Sequence, residues 1–90
     1  MDKEEARDIL KAYSRIGIDL TRHCRERMIE RNVTVEDLRF IIEWGKITEI
    51  EESPQFDSCK CKIHGTDIDG EDLTFIAAIS EKIILCITVF

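Results

Sequence analysis

Three residues spaced four apart, His23, Arg27 and Arg31, fall on one face of any helix that contains them. Two guanidiniums beside an imidazole can hold a phosphodiester through paired N–H donors and move a proton near neutral pH. Arg22 and Arg25 add positive charge, Glu26 and Glu30 offset part of it, and residues 22–31 sum to +2. The same residues also suit a structural role. Arg22 with Glu26 and Arg27 with Glu30 are ordinary solvated helix pairs, and His23 can cap or pack. Residue types and spacing leave both readings open.

A second set of cations lies near the middle of the chain. Lys60, Lys62 and His64 alternate with Cys59, Cys61 and Ile63, the period of a half-buried strand. For His64 the solvent-facing, aggregation-resisting role of strand charges is the preferred reading.

The four cysteines invite a metal reading, in which Cys59 and Cys61 join Cys24 or Cys86 with His23 around zinc. The Cys-x-Cys spacing lacks a second knuckle, and small buried thiols are common in cores. Reduced core cysteines are therefore expected, with no metal and no cofactor. Met-Asp-Lys-Glu-Glu is too acidic to open a signal peptide, and no apolar run approaches the roughly 20 residues of a membrane span. A cytoplasmic location without membrane contact is the expectation.

These residues need elements to position them, and the periodicity supplies those. Ala6, Ile9, Leu10 and Tyr13 recur at helical spacing in a first helix from Lys3 to about Arg15, ended by Gly17. Thr21 suits the N-cap of a second helix reaching Arg31, and Asn32 suits the left-handed residue that closes it. Thr34-Val35-Glu36-Asp37 resembles a capping box with Asp in the usual Glu position. A third helix then presents Val35, Leu38, Ile41 and Ile42 and stops at Gly45. The last two helices have the outline of a helix-turn-helix. The second of them offers Glu36, Asp37 and Glu43 against Arg39, which argues against DNA.

From Lys46 the period becomes alternating. Strands are expected at Lys46–Glu52, around Cys59–His64, at Leu73–Ile79 and at Ile83–Phe90. Ser53-Pro54 stops the first, Asp69-Gly70 signals a type I′ hairpin, and Ser80-Glu81-Lys82 makes the last turn. The last two strands are apolar at nearly every position, which predicts cover on both faces. The fold class is α+β, with two to three N-terminal helices packed on one face of a four-stranded antiparallel sheet. Ninety residues suit a single domain spanning 1–90.

Charge bounds the function. The net charge is −6, yet residues 1–46 carry ten basic and ten acidic side chains, whereas residues 47–90 carry three and nine. Any cationic patch is therefore local and belongs to the helical half. An acidic chain is a poor candidate for strong nucleic-acid binding through clustered cations.

The stretch from Leu20 to Val33, with His23, Arg27, Met28 and Arg31, resembles the signature of the prokaryotic family called domain of unknown function 4258. That signature reads His-Ala-x-x-Arg-Met-x-x-Arg-Gly-Ile, followed by a short acidic helix, a Gly/Asp hairpin and a strand of the type Val-Ile-Thr-Val-Tyr. Here the closing strand reads Cys86-Ile87-Thr88-Val89-Phe90. Cys24 stands at the alanine and Asn32 at the glycine, and the resemblance covers about residues 18–90. Such proteins look similar to the RelE-like and BrnT-like ribonucleases of toxin–antitoxin pairs. The resemblance implies metal-independent RNA cleavage in which His23 carries the proton while Arg27 and Arg31 stabilise charge. Arg22, Lys60 and Lys62 would bind substrate, the lysines reaching the phosphate from the sheet, with His64 as a second proton carrier in that scheme, and an antitoxin protein would be the partner. The alternative expectation is a non-catalytic protein-binding module that uses the same patch or a sheet edge.

Overall fold

In the computed structural model, which describes residues 1–53, 58–81 and 83–90, each helix begins where a polar side chain takes up free N–H groups. The first helix, α1 (Lys3–Ser14), starts with Asp2 accepting the Glu5 N–H at 2.8 Å, and Glu4 and Glu5 favour its positive end. Gly17, at φ 156°, turns the chain into a short strand, β1 (Ile18–Leu20). In α2 (Arg22–Arg31) the Thr21 hydroxyl caps the Cys24 N–H, and Asn32 closes the helix at φ 55°, ψ 45°. Before α3 (Val35–Trp44) the capping box is complete, with both Thr34–Asp37 exchanges formed. These boundaries follow the sequence expectations closely.

The strands are β2 (Lys46–Ser53), β3 (Ser58–Thr66), β4 (Asp72–Ser80) and β5 (Ile83–Val89). Among the described residues the sheet has five strands in the order β1-β5-β4-β3-β2, not the expected four. β1 pairs parallel to β5, matching Ile18, Asp19 and Leu20 with Ile84, Leu85 and Cys86, while the other pairs are antiparallel. Three residues are too few for a period-2 pattern to stand out between two helices, which explains the missed strand. Pro54 of the expected β2 stop and Lys82 of the last turn lie outside the described residues.

The hairpin from β3 to β4 also differs from expectation. It is a five-residue loop, 67–71, closed by the Asp67 N–H to the Glu71 carbonyl at 2.8 Å. Asp67 accepts the Gly70 N–H at 3.1 Å, and Gly70 alone in this loop has a positive φ, 89°. A type I′ turn needs positive φ at both central residues, so Asp69 at negative φ rules it out.

The core lies between the helices and one face of the sheet. Ala6 and Leu10 of α1, Cys24 and Met28 of α2, and Leu38, Ile41 and Ile42 of α3 meet Cys59, Cys61, Ile63, Phe75, Ala77, Ile84 and Val89. α2 packs along β5 and β1, whereas α3 packs against α1, β3 and β4, an arrangement unlike a helix-turn-helix pair. Arg7 ties α1 to the end of α3 by donating to the carbonyls of Glu43 and Gly45. Cover on both faces of β4 and β5 is not found. On the far side Ile76, Ala78, Leu85 and Ile87 are half-buried among strand neighbours, including the stem of the half-buried Lys62. Among the described residues, no helix is long and apolar enough to cross a membrane.

Candidate functional site

The parallel strand β1 covers the edge of β5 only from Ile84 to Cys86. Past that point the carbonyls on the edge of β5 need other donors, since unpaired backbone groups are costly. Helix α2 supplies them. Thr21 donates its N–H to the Cys86 carbonyl at 3.1 Å and its hydroxyl to that of Ile87 at 3.0 Å. Arg27 Nε donates to the Val89 carbonyl at 3.4 Å, and Arg31 Nη2 reaches beyond β5 to the Asp72 carbonyl at the start of β4 at 3.0 Å. Thr21, Cys24, Arg27 and Arg31, at steps of three and four residues, form a seam between α2 and the sheet.

The sequence stripe is thus present, and its members differ. His23 and Arg31 are exposed, and Arg27 keeps 37% of its side chain exposed while also pairing with Glu30 at 3.3 Å. A guanidinium has five N–H donors, so one carbonyl bond orients each arginine and leaves further donors facing solvent. Arg22 stands 94% exposed beside Glu26, one position round the helix from His23. The stripe therefore combines a structural seam with an open cationic surface.

Lys60, Lys62 and His64 do not join it. They project from the sheet face opposite the helices, alternating with the buried Cys59, Cys61 and Ile63. There Glu51 and Glu49 stand directly across from Lys60 and Lys62. With Ile76 and Ile87 these four charged residues line a shallow groove of about 270 Å³ whose carboxylates disfavour an anion. Lys62 Nζ lies 5.7 Å from the centre of the Phe90 ring, and His64 Nδ1 meets Thr74 Oγ1 at 3.0 Å. A second hollow of about 340 Å³, between α1 and the strand ends, is bordered by Ile9, Tyr13, Glu52 and Cys59. Neither hollow includes His23, Arg27 or Arg31.

The cysteines depart from the sequence expectation. Cys24 and Cys86 form a disulfide, their Cα atoms 6.1 Å apart, at the crossing of α2 and β5. A separation of 62 residues hides such a pair from any spacing argument. Cys59 and Cys61 remain buried thiols. Burial, together with Cys59 beside it, pushes Cys61 up to about 12, far from a reactive thiolate. Among the described residues no group of three or more His, Cys, Asp or Glu side chains is arranged to hold a metal. No buried side-chain polar atom among them lacks a hydrogen-bond partner, so no orphaned group points to a missing ligand.

One residue acts beyond its expected role. Asp37, only 6% exposed, completes the α3 cap with one oxygen and accepts the Ile68 N–H with the other at 3.1 Å. Burial pushes this carboxyl upward, but the hydrogen bonds from Thr34 and Ile68 outweigh it and hold Asp37 below its ordinary value. The Asp in place of the capping-box Glu was visible in the sequence, whereas its second partner, 31 residues away, was not.

Fold and surface together define a small α+β domain with a cationic helix face laid along the closing strand of its sheet. The chain belongs to the family described as Domain of unknown function (DUF4258), whose model matches residues 20–90. No curated protein and no solved structure matches it.

Proposed function

We propose that the outer face of α2 engages the phosphodiester backbone of RNA, and that the protein is the toxin-like component of a prokaryotic toxin–antitoxin pair. The single observation behind this reading is the pairing of an exposed His23 with two arginines whose orientation is set by sheet carbonyls. Arginines fixed in this way lose less freedom on binding than free side chains do. An open helix face suits an extended polymer better than a small molecule. The reaction class and the cytoplasmic setting are those expected from the sequence signature's resemblance, at the level of fold, to RelE-like and BrnT-like ribonucleases.

In this reading His23 takes the proton of a 2′-hydroxyl as it attacks the adjacent phosphorus. The remaining N–H donors of Arg27 and Arg31 stabilise charge on the phosphoryl oxygens, and water protonates the departing 5′-oxygen. Arg22 extends the track for the backbone. Lys60 and Lys62, paired across the strand with Glu51 and Glu49 on the far face, lie off this track. His64, on that far face, takes no part. The reaction calls for no metal.

The test is expression in a bacterial host. The wild-type chain should arrest growth, His23→Ala should relieve the arrest at an unchanged melting temperature, and a neighbouring small reading frame should encode the antitoxin. Unimpeded growth with abundant folded wild-type protein would remove the toxin reading. A second reading, a non-catalytic protein-binding module, is favoured by β2, an eight-residue strand at the sheet edge. Such an edge can accept a partner's strand.

A further inference from the structure

The disulfide lies where the seam of α2 begins. Cys24 follows the Thr21 cap, and Cys86 is the residue whose carbonyl takes the Thr21 N–H. Among the described residues the polar links from α2 to the closing strand are individual hydrogen bonds beside the apolar packing of Met28, and the last of them, from Arg27 Nε, is long at 3.4 Å. The one covalent link therefore sits on the helix that carries His23, Arg27 and Arg31. Both cysteines are fully buried in the apolar core with Met28 and Ile84, so reduction leaves two neutral thiols and no unpaired charge, while their sulfurs, no longer bonded, need more room than the closed pair.

We infer that the Cys24–Cys86 bond is a redox lock that fixes α2 against β5 when oxidised and lets α2 part from the sheet when reduced. The exchange is balanced by a low-molecular-weight thiol couple. Two thiols, RSH, reduce the bond, giving Cys24–SH, Cys86–SH and one RSSR, and the reverse reaction re-forms it with release of two RSH. The strands β3 and β4 bear no part of the bond and keep their pairing in both states. Because neither sulfur is exposed, attack by a thiolate has to wait for α2 to open. The lock thus reports the local stability of the helix. Regulation of RNA binding by the lock rests on the reading of α2 given above, whereas the lock itself does not.

Hydrogen exchange on the whole chain, oxidised with glutathione disulfide or reduced with dithiothreitol, tests the lock directly. In the reduced protein the amides of residues 25–31 should exchange about tenfold faster or more, while those of residues 60–66 and 73–79 stay unchanged. The double substitution Cys24→Ala, Cys86→Ala should match the reduced protein under both conditions. Equal protection of α2 in the two states overturns the lock, and so does failure of the bond to form in glutathione disulfide. Loss of protection throughout the sheet on reduction also overturns it, making the bond a staple for the whole fold. If exchange behaves as expected yet neither form binds single-stranded RNA, the lock stands and the RNA reading fails.

Discussion

Arg27 has two jobs that one substitution cannot separate. Its Nε serves the Val89 carbonyl at the bare edge of β5, and its outer N–H groups face solvent beside His23. Arg27→Ala should therefore lower stability by about 1 kcal/mol through the lost bond as well as weaken any anion binding. His23 lies exposed, so His23→Ala should change urea stability by less than about 0.5 kcal/mol. Parallel urea titrations of the two variants check this contrast. A similar separation applies to the caps. Asn32 sits in the left-handed region at φ 55°, and Asn32→Ala should cost roughly 1 kcal/mol because a Cβ without a compensating side-chain amide is strained there. Asp37 gives a pH signature. Its carboxyl is held below the unfolded value, so its stabilising effect is present in full above about pH 4 and is lost as pH falls through the folded value. Urea midpoints measured from pH 7 down to pH 2.5 should fall at the acid end, and Asp37→Asn should be less stable at pH 7 with a shallower acid decline.

Between elements, contacts at closest approach decide what is tolerated. Gly45 ends α3 where the helix meets β3, and a Cβ there would lie 2.4 Å from the Ile41 carbonyl and 3.0 Å from that of His64. Those are backbone atoms that cannot rotate away. Gly45→Ala should therefore destabilise by about 2–3 kcal/mol, read as a lower melting temperature with no change in α2 exposure. In the sequence Gly45 was legible only as a helix stop, because helical periodicity says nothing about what crosses the end of a helix. The same boundary separates local features from long-range ones. The capping bonds of Thr21, Asn32 and the Thr34–Asp37 box close within four residues, so local chemistry is enough to place the helix ends, though not the further partners of Thr21 and Asp37. β1, the Cys24–Cys86 bond and the arginine bonds to Val89 and Asp72 all join segments at least 41 residues apart. Such links depend on the sheet order, which no local pattern carries. The stripe itself was legible as spacing, whereas its seam on the inner side became visible only with β5 beside it.

Across the whole molecule, charge is divided by architecture. The acidic excess belongs to residues 47–90, which form the four longer strands, and the balanced half forms the helices. RNA approaching from the sheet side meets Glu49 and Glu51 beside Lys60 and Lys62, so binding should be confined to the α2 side and remain weak. With two or three phosphate contacts there, the logarithm of affinity should fall with the logarithm of salt at a slope of only about −1.5 to −2 for a single strand. The most direct test of the central proposal is cleavage of a mixed-sequence single-stranded RNA by the purified chain in the presence of EDTA. The wild-type protein should leave 2′,3′-cyclic phosphate ends, and His23→Ala, folded and equally stable, should leave the RNA intact. Undiminished cleavage by His23→Ala, or intact RNA with the folded wild-type chain, would contradict it.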